Sequence, residues 1–462
     1  MISEYETRQV LDAALARGGD FAELFLEDRE ETNIQSRGGV LQGVKTIRIH
    51  GAGLTVLQGA QRVYVHTNRT DREALAQLAC RAAGMLAAAR ASGAAQALRT
   101  AENPSPNPIL LYPGEVQASA KIRAVDQAQR AARAAGPQIL AMNVDYFDND
   151  QRILVANSEG LLAPDRRVST RMRFQVTLGD EHGSFFDWED YTAARGFEAL
   201  VGEGCEAFAR DYVRRMERMW KAQPVRPCRV PVVLAAGGAG TLWHECCGHG
   251  LEASAAASGD SLYAGRLGTA IASPRVTLID DGTFPGLYGS SAIDDEGHPR
   301  QKNVLIERGV LRQYLCDRLH GRLLGLESNG CGRRQNYTFP VTSRMSNTYL
   351  APGEDDEEEM LRSVPEGLLV QSLGGGSGGA TFTIAVKEGF WIRNGQIDRQ
   401  VKGVVLSGSG LDVMARVDRV GRRLEPEMGA FCGADSGLVP TTAFQPRMRV
   451  TEMTIGGEER AL

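Results

Sequence analysis

The sequence contains no apolar run approaching the ~20 residues that a membrane-spanning helix requires, so no membrane association is expected. It also lacks a dense basic stripe, and its formal net charge is −5. Both argue against nucleic acid as a partner, because a phosphate backbone is met by clustered Lys and Arg. No CxxC pair is present, and the eight cysteines are scattered through 462 residues. That pattern excludes a small disulfide scaffold and fits reduced thiols in the cytoplasm. The opening MISEYETRQV has no hydrophobic stretch of the secretory type. No repeat of the solenoid or propeller kind is found.

What remains is ordinary globular material, 42% hydrophobic and 24% charged, long enough for two to four domains. Pro-rich stretches divide it. TAENPSPNPILLYPG (100–114) reads as a linker, and QPVRPCRVPV (223–232) as a boundary. The expected units are residues 1–100, 112–222 and 229–462. The fold class is α+β: a mixed α/β N-terminal region followed by a strand-rich, Gly-rich C-terminal domain. In the first unit, helices are predicted over 5–17 and after a capping Asp71. Between them, 45–66 alternates as strands broken by Gly-rich turns. In the second, an Ala-rich helix over 115–135 precedes strands at 139–147 and 152–157, with DNDQ (148–151) as a hairpin turn. A cleaner strand spans 167–176 and a helix 198–220. Farther on, DDEEE suits the first turn of a helix over 355–363.

The chemistry concentrates in G-T-L-W-H-E-C-C-G-H-G-L-E (240–252). A His followed by Glu, with a second His close by, is how zinc peptidases build a site. His244 and His249 are five apart, which leaves them roughly 140° apart on an ideal α-helix. Both reach one ion only if the helix bulges or ends between them. A π-type insertion aligns i with i+5, and Gly248 makes a break easy. Cys246 and Cys247 point about 100° apart, so at most one could join the histidines; packing the helix is their expected role.

HECCGHGLE resembles the HExxxHGLE signature of the TldD/PmbA metalloproteases. GGDFAELFLE (18–27), GSSAIDDEG (289–297), NVLIERGVLRQYLCDR (303–318), RMSNTYL (344–350), LGGGSGGATF (373–382) and FCGADSGLVPT (431–441) resemble further family segments in the right order. The resemblance implies a TldD-like catalytic chain, with one Zn2+ held by His244, His249 and Cys432 and with Glu245 as general base. Three protein ligands leave a position for water, and such a donor set also accepts iron. It implies peptide substrates, either unfolded peptides or leader segments of precursors. It implies a homodimer, or a heterodimer with a PmbA/TldE-like subunit, enclosing a chamber. The sequence departs from the family at Cys246-Cys247, where small apolar residues are more usual, and at GADSG after Cys432, where GKDGQ is frequent.

A substrate path is expected along 344–349 and 373–380, with Arg344, Asn347, Gly374 and Gly375 as contacts; the Gly run favours close backbone approach. The competing function is a non-catalytic, PmbA-like partner or peptide-binding subunit, which an intact ligand set opposes. A redox role for Cys246-Cys247 is disfavoured by the strain of a vicinal disulfide. Asp294, Asp295 and Glu296 are expected to form an acidic surface turn.

Overall fold

A computed structural model describes residues 2–86, 93–136, 138–181, 183–379 and 381–457. The first half builds one sheet. Helix α1 (Glu4–Leu15) starts at a Ser3/Glu6 capping box. Long strands β1 (Phe21–Arg37) and β2 (Val40–Gln58) follow, then β3 (Gln61–Thr67) and helix α2 (Arg72–Gly84), which Asp71 caps through the Ala74 N–H. Strand β4 (Arg99–Thr100) leads through the Pro-rich linker to helix α3 (Ala118–Ala135), then to strands β5 (Ile139–Asn157), β6 (Leu161–Asp180) and β7 (Gly183–Ala193) and helix α4 (Glu203–Trp220). β1 pairs antiparallel with β5, so the two sequence segments share one seven-stranded sheet. Helices α1 and α2 bury Leu11, Leu75 and Leu78 against β1–β3; α3 and α4 bury Val125, Tyr212 and Met216 against β5 and β6.

Two expected turns are instead strand interior. DNDQ lies within β5: Asp148 is buried, pairs with Lys121 and accepts from Tyr146 Oη at 2.6 Å, while Gln151 donates to Glu27 at 2.8 Å. Neighbouring elements satisfy the polar run, so nothing forces the chain to reverse. The glycines at 51 and 53 likewise lie inside β2, where a Cβ at Gly51 would meet the Tyr337 ring at 2.4 Å.

The second half packs two sheets against each other. An eight-stranded sheet includes Cys228–Leu234, Glu366–Ser377, Thr381–Arg393, Val405–Ser409 and Met448–Gly456. A six-stranded sheet includes Leu278–Asp281, Lys302–Glu307, Asn347–Leu350, Ala430–Ala434 and Gly437–Phe444. The segment carrying the two histidines touches both, and its Leu242, Trp243, Cys246 and Leu251 join their common core. The helix expected over 355–363 spans Glu357–Arg362, capped by Asp356. Among the described residues no helix is long and apolar enough to cross a membrane.

The halves meet through buried ion pairs. Arg334 reaches Glu23 at 2.9 Å, and Arg167 holds Asp295 at 2.5 Å. Asp294 and Asp295 are therefore interior, not a surface turn. Asp294 accepts backbone N–H groups of Glu296, His298 and Gly332. Burial opposes the charge of Asp295, but Arg167 and Arg334 hold its carboxyl below the usual range.

Candidate metal centre

The histidines lie where the helix changes pitch. Thr241–Trp243 is α-helical and His244–Gly248 forms a π-helical turn, in which the His249 N–H bonds the His244 carbonyl five residues back. The wider turn cancels the angular offset of a five-residue spacing. The two rings stand 4.8 Å apart and nearly perpendicular. Gly248 serves a close approach rather than a break: its φ is −54°, and a Cβ there would meet Met345 Sδ at 2.1 Å. Cys246 and Cys247 are buried in the core, and Cys247 Sγ donates to the Trp243 carbonyl. Neither belongs to the donor group.

The third donor arrives from a hairpin. Cys432 lies on Ala430–Ala434, paired to Gly437–Phe444. Its sulfur is 3.1 Å from His244 Nε2 and 3.4 Å from His249 Nε2, and the three donor atoms fall within 4.8 Å of one another. Tetrahedral zinc would set N···S spacings of about 3.5 Å, so the set fits a small divalent ion. Burial opposes charge on both groups, yet hydrogen bonds prevail: those from His244 and His249 pull Cys432 down to about 4, and those to Cys432 and Glu252 push His249 up to about 11. Both shifts favour a thiolate beside the imidazoles, and a cation held there would displace the proton between them and be met by neutral imidazoles.

Behind these donors, His249 Nδ1 faces Glu252 Oε2 at 3.4 Å. Arg344 lies 3.7 Å from the other Glu252 oxygen and donates to the Cys432 carbonyl at 2.7 Å and to Ser436 Oγ and the Gly437 carbonyl. Arg344 is fully buried. It is not a substrate contact; it ties the histidine helix to the cysteine hairpin. Asn347 is also enclosed, donating to the Asp281 carbonyl and Ser290 Oγ and accepting from the Gly289 N–H. Asn347 opens the strand Asn347–Leu350, which is central in its sheet, and Arg344 lies three residues before it.

A cavity of about 440 Å³ opens over the donors, lined also by Glu245, Gly376, Ser377, Gly378, Phe431 and Gly433. The Gly-rich strand does reach the site, but through 376–378 rather than Gly374 and Gly375; residue 380 lies outside the described residues. A Cβ on Gly378 would meet the Glu245 carbonyl oxygen at 2.3 Å. Sequence reasoning missed Glu252, although its place three residues after His249 put it one turn away. It also missed Phe431, for which no local signal exists.

Residues 227–457 match the PmbA/TldA metallopeptidase C-terminal domain, 22–86 its domain 1 and 111–219 its central domain. The chain belongs to the PmbA/TldD metallopeptidase family. It is 29% identical to the metalloprotease TldD homolog of Haemophilus influenzae, over 97% of this chain and 95% of that one. It is 31% identical to a metalloprotease of Methanothermobacter thermautotrophicus, over 95% and 96%. Crystal structures of a Thermotoga maritima protein (TM-score 0.78, 19% identity, 98% and 100% coverage) and of TldE from Thermococcus kodakarensis (0.74, 15%, 98% and 100%) share the fold.

Proposed function

We propose that this chain is a zinc-dependent peptidase acting on unfolded peptides or leader segments of peptide precursors. The convergence of His244, His249 and Cys432, with Glu245 on the same cavity, carries this reading. An ion in that donor set would supply Lewis acidity toward a peptide carbonyl. Glu245 takes the proton of the attacking water on its carboxylate and returns it to the departing amine nitrogen. Glu252 and Arg344 hold the ligands in place. Gly376 and Gly378 lack side chains beside Glu245, so an extended peptide can approach by its backbone, an arrangement tolerant of sequence.

The complete donor set favours a catalytic chain over a silent partner subunit. The eight cysteines, all unpaired, support a reducing cytoplasmic setting. Val40, Leu41, Val44 and Ile47, exposed along β2, support assembly with a second family chain. The test is cleavage of an unstructured peptide by zinc-loaded protein beside Glu245→Gln. The variant should keep its metal and lose at least about 10²-fold in kcat/KM. Wild-type rates in the variant would remove Glu245 from the mechanism.

A further inference from the structure

A second cavity, of about 730 Å³, lies between the face of β1, β2, β5 and β6 and the C-terminal half. Phe431 borders both this cleft and the metal centre. The volume is that of a ligand site for several residues. Basic residues outnumber acidic ones in its lining by seven to three. Several of the cations are held by carboxylates, as in the Arg173–Asp190 and Arg334–Glu23 pairs.

Lys45 is exposed to solvent, but two less exposed cations, Arg333 and Arg171, are not so satisfied. Arg333 is only 8% exposed, and among the described residues its guanidinium has one hydrogen-bond partner, the Met345 carbonyl at 2.6 Å, and no carboxylate. Burial and the neighbouring Arg300 guanidinium both oppose its charge, and Asp295, already held by Arg167 and the Arg334 N–H, offsets them only in part. Arg171 lies over the rings of Phe147 (4.0 Å) and Phe431 (5.1 Å). Its nearest carboxylate, Asp190 at 3.6 Å, is already gripped at both oxygens by Arg173, and its buried Nε has no partner. A buried guanidinium and a half-buried one, both short of acceptors and facing a cleft of this size, call for an anion.

We propose that the cleft seats a carboxylate of the bound peptide against Arg333 and Arg171, while the scissile bond lies across Phe431 at the metal centre. The inference rests on the peptidase reading. The carboxylate is either the peptide's C-terminus or an Asp or Glu side chain, and the two share this chemistry. Carboxylate-bearing peptides are therefore the favoured class.

The test uses zinc-loaded Glu245→Gln protein, which binds without turnover, and fluorescence anisotropy. The probes are three forms of one fluorescein-labelled Gly/Ser-rich peptide: a free C-terminal carboxylate, a C-terminal amide, and the amide with one internal Asp. One carboxylate form should bind at least about tenfold tighter than the plain amide, and which one identifies the source. Arg333→Gln added to this protein should bring that ratio below about threefold; Arg171→Gln serves if the first variant does not fold. Equal binding of all three peptides, or a preference that survives both substitutions, overturns the inference. Cleavage by the wild type is scored separately. Cleavage without carboxylate preference rejects the cleft alone; preference without cleavage rejects the peptidase reading alone.

Discussion

At Cys432 the fold brings a sulfur to two imidazoles that lie 188 and 183 positions away in the chain. Nothing in Phe-Cys-Gly, of which only the cysteine is buried, marks such a residue; only its resemblance to a family segment singled it out, whereas the two histidines were legible from their own spacing. Arg344 is the instructive failure. A sequence carries no depth, and an arginine in a strand-like run looks like a ligand-binding residue. Here it is interior and bridges Glu252 to the Cys432 carbonyl. Removing such an outer partner releases the orientation of two ligands together. Arg344→Ala should therefore weaken zinc affinity by about 10- to 100-fold, read by competition with a chromophoric chelator. An affinity equal to wild type would mean that the ligands hold their positions without it.

At the scale of elements, the π turn decides whether the centre exists. Its necessity follows from the angular arithmetic of a five-residue spacing, and the structure realises it at His244–Gly248. What the sequence did not disclose is the role of Gly248. Its neighbour Met345 is 97 positions on and fills the space a side chain would occupy. Gly248→Ala should cost about 1–3 kcal/mol by overpacking, measured by urea unfolding. The double variant with Met345→Ala should lose less than the sum of the singles; strict additivity would place the strain elsewhere. The long strands were harder to read for a related reason. Asp148 and Gln151 look like turn residues until Lys121 and Glu27, from a helix and a neighbouring strand, are in place to pair with them.

At the scale of the molecule, the N-terminal sheet and the C-terminal half are joined by charges taken out of water. Glu23 is the clearest. Burial pushes its carboxyl from 4.5 up to about 7 despite Arg334. Its folded pKa exceeds its unfolded one, so its contribution to stability is fully present below pH 4.5 and is lost as pH rises through about 7. Relative to Glu23→Gln, the wild type should lose stability across that window in urea titrations. A difference that stays flat or grows with pH would show that Glu23 is ionised from the start. The same interface shapes the arginine-lined cleft beside the metal centre, so the proposed carboxylate site depends on it as well.

One ion held by His244, His249 and Cys432 is central to the proposed activity, and metal content by mass spectrometry of purified wild type beside Cys432→Ala tests it most directly. The expected result is about one zinc per chain in the wild type, lost or readily stripped in the variant. A wild type that carries no metal and cannot be loaded, or a variant that retains zinc as tightly, would contradict it.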